Sequence, residues 1–220
     1  MAVDRVITCP RCGETVRDNR FAISKPKLLI VEGRDEEEFF VAILKTLDIT
    51  DVQVLAVGGK TKIRSNLKAL RNDSRFSTVI SFGIVRDADR EAATAFVSVR
   101  DALREAGFPY PSKPLRQSKG PPKVNVMILP PDGQHGSLEN VCLETVKDDP
   151  AMFCVEQYFD CLNLRGLNRR MGPDFVKAKT RVFLASREDP TVSLGVAVNK
   201  GYWPLDAQVL NTVKQFLQTI

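Results

Sequence analysis

Histidine is nearly absent from this chain: His135 is the only one among 220 residues. That removes imidazole-based metal clusters, and a Ser-His-Asp triad would have to rest on this one side chain, which reads as a surface loop residue. Long apolar runs are missing too. Nothing approaches the roughly 18 consecutive apolar residues that a membrane span needs, and residues 1–18 lack the apolar h-region of a signal peptide. The five cysteines are odd in number and follow no regular framework, which suits a reducing compartment better than a secreted one. A cytoplasmic location is expected. Internal repeats and low-complexity tracts are absent as well.

What is present is an ordinary globular composition, 43% hydrophobic and 27% charged, at a length that suits one good-sized domain with appendages. The formal charge is +5 with a pI near 9.0. Acid is concentrated at Asp35-Glu36-Glu37-Glu38, while base is spread over residues 60–75, 113–123 and 165–181. A basic surface around a small acidic pocket suits a polyanionic substrate; solvated surface charge accounts for the same pattern equally well.

From Lys27 onward the hydrophobic pattern alternates. Strands are expected at 27–31, 52–57, 78–85 and 123–129, and helices at 36–47, 61–71 and 90–106, each with apolar residues at helical spacing. This order implies a parallel sheet covered by helices on both faces, because parallel neighbours need crossovers and near-continuous apolar strands are buried on both sides. Residues 107–122, with five prolines, interrupt the last crossover and read as a long exposed loop. After Gly136 only helices are expected, at 137–146, 151–163, 173–186 and 206–218. The fold class is therefore α/β: a four-stranded parallel sheet flanked by helices. Its divisions are an arm at 1–24, a catalytic unit at 25–146 and a helical extension at 147–220 packed on the same domain.

Two of the expected strands end in acid. Leu28-Leu29-Ile30-Val31 runs into Glu32-Gly33, and the strand ending at Val85 runs into Asp87-Ala88-Asp89. Alone, Glu32 reads equally well as a strand-end surface residue and Asp89 as a helix N-cap. Together they put mutually repelling carboxylates at the carboxyl edge of one sheet, where ligands of α/β proteins bind. A divalent cation is the natural neutraliser.

The combination Val31-Glu32-Gly33-x-x-Glu36 followed by Asp87-Ala88-Asp89 resembles the signature of the Toprim (topoisomerase–primase) fold over roughly residues 25–144. Within that superfamily it is similar to the OLD (overcoming lysogenization defect) nucleases and their small single-domain relatives. Glu36 matches a metal position of that branch, Gly136-Ser137-Leu138-Glu139 its third acidic motif, and Lys177-Ala178-Lys179 the helix carrying its catalytic lysine. The resemblance implies hydrolysis of a nucleic-acid phosphodiester by a two-metal mechanism with Mg²⁺ or Mn²⁺. Glu32, Glu36, Asp87 and Asp89 would hold one ion, and Glu139 with Glu32 or Asp87 would help hold a second. Either Lys177 or Lys179 would face the leaving oxygen; two residues apart on a helix, they point about 200° from each other. Gly33, Gly59, Lys60 and Ser137 are the expected substrate-contacting positions. OLD proteins usually carry an ATPase domain before the Toprim unit. These 220 residues hold none, which leaves room for a separate ATPase partner, and a homodimer is compatible. Two other readings use the same acids: a non-catalytic nucleic-acid-binding or regulatory module, and primase-like nucleotidyl transfer.

Weaker signals remain. Gly58-Gly59-Lys60-Thr61 lacks the first glycine of a P-loop, which is Val54 here, and reads as a tight strand-to-helix turn; its amides and Lys60 remain candidates to touch phosphate. Cys9-Pro10-Arg11-Cys12 is half of a zinc knuckle, and two thiolates do not complete the usual four-ligand site. Cys154 and Cys161 are candidate partners of irregular spacing, and Cys142 reads as core. Trp203, among Gly and Pro, reads as an anchor for the last helix more than as a base-stacking platform.

Overall fold

The computed structural model describes residues 5–8, 15–18, 22–167 and 171–220. A short antiparallel hairpin, β1 (Arg5–Thr8) and β2 (Thr15–Asp18), precedes the main body. The expected zinc half-site at Cys9 and Cys12 lies outside the described residues. The body then runs β3 (Lys27–Val31), α1 (Arg34–Thr46), β4 (Val52–Ala56), α2 (Ile63–Arg71), β5 (Ser81–Asp87), α3 (Ala92–Glu105) and β6 (Lys123–Leu129). Five further helices follow: α4 (Leu138–Thr145), α5 (Pro150–Leu164), α6 (Pro173–Ala185), α7 (Leu194–Asn199) and α8 (Asn211–Gln218). Among the described residues no helix is long and apolar enough to cross a membrane.

β3 to β6 form one all-parallel sheet in the order β4-β3-β5-β6. Every strand is apolar on both faces, and alternate residues feed two separate cores. Leu28 and Ile30, Phe82 and Ile84, and Val124 and Val126 meet α2 and α3 on one side. Leu29 and Val31, Val85, and Met127 and Leu129 meet α1, α4 and the later helices on the other. The period of two in strand side-chain direction thus becomes a three-layer sandwich. The helices after residue 146 share the second core: Met152, Val155, Phe159, Phe183, Leu184, Val213 and Phe216 are all buried in it. Trp203 belongs there too, 1% exposed, stacked on Phe183 and donating its indole N–H to the Leu194 carbonyl at 2.9 Å. It anchors the chain and offers no face to a base.

The strand order reverses beside β3: the chain goes first to β4 on one side, then returns to β5 on the other. Loops leaving β3 and β5 therefore diverge to opposite faces of the sheet, opening a crevice between the two carboxyl ends. Glu32 and Asp87 flank it.

Some boundaries differ from expectation, each for a local reason. The strand expected at 78–85 is displaced to Ser81–Asp87 because a 3₁₀ turn, Ser74–Thr78, precedes it, capped by Asp73 accepting from the Arg75 N–H at 2.9 Å. Pairing with β6 carries Arg86 and Asp87 into the ladder, opposite Ile128 and Leu129. The helix expected from 90 begins at Ala92 and is N-capped by Glu91, not Asp89. α7 was not expected: six residues with a glycine inside give no usable period. The proline-rich loop lies along the open edge of β6, where the Leu115 and Ser118 N–H groups bond the Val126 and Val124 carbonyls at 2.8 Å each. That covers an edge which would otherwise pair with another chain.

Candidate metal and phosphate site

Five carboxylates gather at the crevice, each delivered by a different piece of local structure. Glu32 leaves the end of β3 with its side chain 15% exposed. Its carboxylate accepts the Asp87 N–H at 3.3 Å and lies 3.7 Å from the Arg86 guanidinium. Burial raises its pKa; Arg86 and the Asp87 N–H act against the rise, and the charges of Glu36 and Asp89 add to it.

Glu36 is the third residue of α1, and its carboxylate lies at the first turn of the helix, where its own N–H and that of Gly33 act to lower its pKa. A Cβ on Gly33 would stand 2.9 Å from Glu36 Oε2, so the glycine of Glu32-Gly33 leaves room for the neighbouring acid. Gly33 itself is extended (φ −141°) and carries no backbone strain. Burial raises the Glu36 pKa, and the charges of Glu139 and Asp35 raise it further.

Asp87 occupies the centre. Burial pushes its carboxyl well above the ordinary range, and Glu36, Glu32 and Glu139 all push in the same direction. The opposing contribution is the Leu138 N–H at the amino terminus of α4, which donates to Asp87 Oδ1 at 3.1 Å. Asp89 sits in the left-handed region (φ 55°). There its backbone forms a two-bond bridge with Gly136, at 2.8 and 3.0 Å. That bridge ties the Asp-Ala-Asp turn to the Gly-Ser-Leu-Glu turn. Gly136 is required in this position: its φ is +145°, and a Cβ would meet Asn140 Oδ1 at 2.6 Å. Glu139 accepts from the Ser137 hydroxyl at 2.7 Å, and the Ser137 N–H bonds Asn140 Oδ1 at 3.0 Å.

Positive charge comes from two places. The Gly58-Gly59 turn has positive φ at both residues, and both N–H groups donate to the Glu32 carbonyl, at 2.9 and 2.7 Å. Those amides are therefore occupied, and what the turn offers is the Lys60 side chain, which pairs with Asp89. Arg86 is the second cation. Its one signal in the sequence is a charged residue inside an otherwise apolar strand. Lys60, Arg86, Asp89, Arg90, Glu91 and Pro173 border a cleft of about 440 Å³, within the size range of small-molecule sites.

The two lysines expected on the later helix stand elsewhere. Lys179 pairs with Glu156 of α5. Lys177 is exposed and lines the cleft between α5 and α6 beside Tyr158 and Arg181. Neither makes a contact with the carboxylates. Cys154 and Cys161 are free and exposed on α5, and Cys142 is buried in the core.

Among the described residues no three acidic, histidine or cysteine side chains converge closely enough to hold a metal ion as they stand. Asp89 is turned to Lys60, Glu32 faces Arg86, and Glu139 faces Ser137. In kind, however, the donors fit a hard divalent cation: they are all carboxylates, with no thiolate or imidazole among them. Their mutual repulsion at Asp87 is what such an ion relieves.

Comparison with known proteins gives the following. No curated protein matches the chain. It is similar to solved structures of the C-terminal region of the OLD protein of Xanthomonas campestris pv. campestris. One, phased with iodine, is 16% identical over 88% of this chain and 93% of that one, with a TM-score of 0.41. Another, phased with platinum, is 17% identical over 89% and 96%, with a TM-score of 0.40. A family model described as "Protein of unknown function (DUF3226)" matches residues 26–220. The whole main body, sheet and later helices alike, lies within that match, and the chain belongs to this family.

Proposed function

We propose that this chain is a divalent-metal-dependent phosphodiesterase acting on nucleic acid, with a Toprim-type site like that of OLD nucleases. The observation that carries the reading is Asp87. It is a carboxylate at the switch crevice of a parallel sheet, its proton affinity raised by burial and by three neighbouring acids. A fold gains nothing from such a cluster by itself; perturbed carboxylates in a cleft are a mark of functional sites.

Glu32, Asp87, Asp89 and Glu139 would hold the ion, with Glu36 as a further ligand or a base. Bound Mg²⁺ or Mn²⁺ would supply Lewis-acid polarisation of the phosphodiester and a more acidic water. The remaining work falls to the protein's own groups. The Leu138 N–H holds Asp87 in place against its neighbours. Burial raises the pKa of Glu36, which makes its carboxylate a better proton acceptor than an exposed one. Lys60 and Arg86 place fixed positive charge against phosphate oxygens, where preorganised cations act most strongly. Asp87→Ala combined with Asp89→Ala is expected to abolish Mg²⁺- or Mn²⁺-dependent cleavage of single-stranded DNA and RNA; undiminished cleavage by the double variant would sink the assignment.

A second reading has its own support. The Lys60–Asp89 and Arg86–Glu32 pairs already compensate two of the acids, as a non-catalytic nucleic-acid-binding module requires. Calorimetry separates the two: absence of Mg²⁺ and Mn²⁺ binding would favour the module.

A further inference from the structure

Next to the Asp89 cleft, on the far side of Lys60 and Arg86, lies a smaller and more closed recess. It is lined by Lys60, Thr61, Arg64, Arg86 and Ser98, over a floor that includes Val99. Lys60 and Arg86 border both spaces. The recess measures about 130 Å³, below the roughly 300 Å³ at which small-molecule sites begin and equal to about four water volumes. It admits a group of a few atoms and not a nucleoside.

Its lining is cationic and rich in donors. Three basic side chains and two hydroxyls surround it, and the acids near them are shared out. Asp89 takes Lys60, and Glu105 takes Arg64 and stands 3.7 Å from Lys68. These pairs are substantially exposed, 47% and 38% for Lys60 and Asp89, 50% and 37% for Arg64 and Glu105. Such pairs are worth at most about 1 kcal/mol and yield readily to a bound anion. Arg86 is different: its side chain is 13% exposed. Its Nη1 donates to the Ala95 carbonyl at 3.3 Å, while its buried Nε–H has no hydrogen-bond acceptor. Glu32 Oε1, at 3.7 Å, is out of reach. A buried donor left unsatisfied costs about 1–3 kcal/mol, and more for a charged group. The rest of the guanidinium lines the recess, and an oxyanion there would offset the charge that this partly unpaired, largely buried group carries.

We propose that this recess is a pocket for a phosphate monoester and that it reads the phosphorylated end of a nucleic acid whose chain lies in the Asp89 cleft. A continuing strand does not fit a space this small, whereas a terminal phosphate does. The inference rests on the nucleic-acid reading above and assigns it a substrate class: phosphorylated ends in preference to internal positions.

The test is binding with the metal chelated by EDTA, so that cleavage plays no part. Three fluorescent single-stranded oligonucleotides of one sequence are compared by anisotropy: 5′-phosphorylated, 3′-phosphorylated, and hydroxyl at both ends. One phosphorylated oligonucleotide is expected to bind at least about tenfold tighter than the hydroxyl form, a difference of about 1.4 kcal/mol. Inorganic phosphate should compete that excess away. Ser98→Glu, at an exposed position outside the carboxylate cluster, should erase the preference while leaving hydroxyl-ended binding unchanged. Arg64→Gln should weaken the preference by a route that adds no charge. Equal binding of all three oligonucleotides, or a preference that survives Ser98→Glu, overturns the pocket and leaves the nucleic-acid reading standing. Phosphate binding without any end preference assigns the recess to free phosphate and overturns end recognition. No binding of any oligonucleotide, in EDTA or with non-catalytic Ca²⁺ in its place, overturns both readings.

Discussion

At the scale of single residues, the chemistry of this protein turns on carboxylates whose charged forms the fold opposes. Asp87, Glu36 and Glu32 all have pKa values raised chiefly by burial. A carboxylate with a folded pKa above its unfolded value contributes stability that is complete below the unfolded value, about 4, and is lost as pH rises through the folded one. The metal-free protein is therefore expected to lose thermal stability as pH rises from about 4 towards neutrality. Asp73 and Asp189, held low by the side chains of Arg75 and Thr191, act in the opposite sense, and only below that window. Asp87→Asn keeps an oxygen for the Leu138 N–H and removes the charge. It should flatten the decline and raise the metal-free Tm at pH 7 by a few degrees, about 1 kcal/mol in a chain of this size. Melting curves in EDTA from pH 4 to 8 check this, and a lower Tm for the variant would contradict it. Gly33→Ala makes a complementary case. The added methyl stands 2.9 Å from the end of a flexible side chain, Glu36 Oε2. Stability should change by about 0.5 kcal/mol or less, while metal-dependent cleavage falls because Glu36 is pushed aside.

At the scale of elements, the site depends on how helices dock against strand ends. α1 brings Glu36 to the crevice, and α7 holds the first turn of α1 in place. The Gly195 N–H donates to Asp35 Oδ1 at 2.9 Å, and a Cβ on Gly195 would lie 2.6 Å from the Asp35 backbone. Backbone does not yield as a side-chain tip does, so Gly195→Ala should cost about 1–3 kcal/mol and lower metal affinity through the displaced α1. Urea denaturation and metal calorimetry on the same variant test the two effects together. The strand–helix alternation was legible in sequence because periods of 2 and 3.6 separate cleanly there. α7 was not, because its reason for being helical is its contact with α1, 160 residues away in sequence. Arg86 is likewise not legible: its importance lies in what faces it across the crevice, which local pattern does not encode.

At the scale of the whole molecule, the later helices cover a sheet face. The core that contains Leu29, Val31, Val85 and Met127 also contains Phe159, Phe183, Val213 and Phe216. Gly83 on β5 has no side chain because Ile220 and Phe216 fill its place, with a Cβ position only 2.5 Å from Ile220 Cδ1. A chain cut to residues 25–146 would expose that face, and is expected to aggregate or to show molten-globule behaviour with strong dye binding. A soluble, cooperatively melting fragment would show that the face needs no such cover. The sequence by itself determined the α/β alternation, the parallel four-stranded sheet and the carboxylates at its strand ends, because hydrophobic period and strand-end position are local properties. Only the tertiary structure decided that Lys60 and Arg86, and not Lys177 or Lys179, stand beside those acids, since charge pairing depends on which loops the strand order brings together.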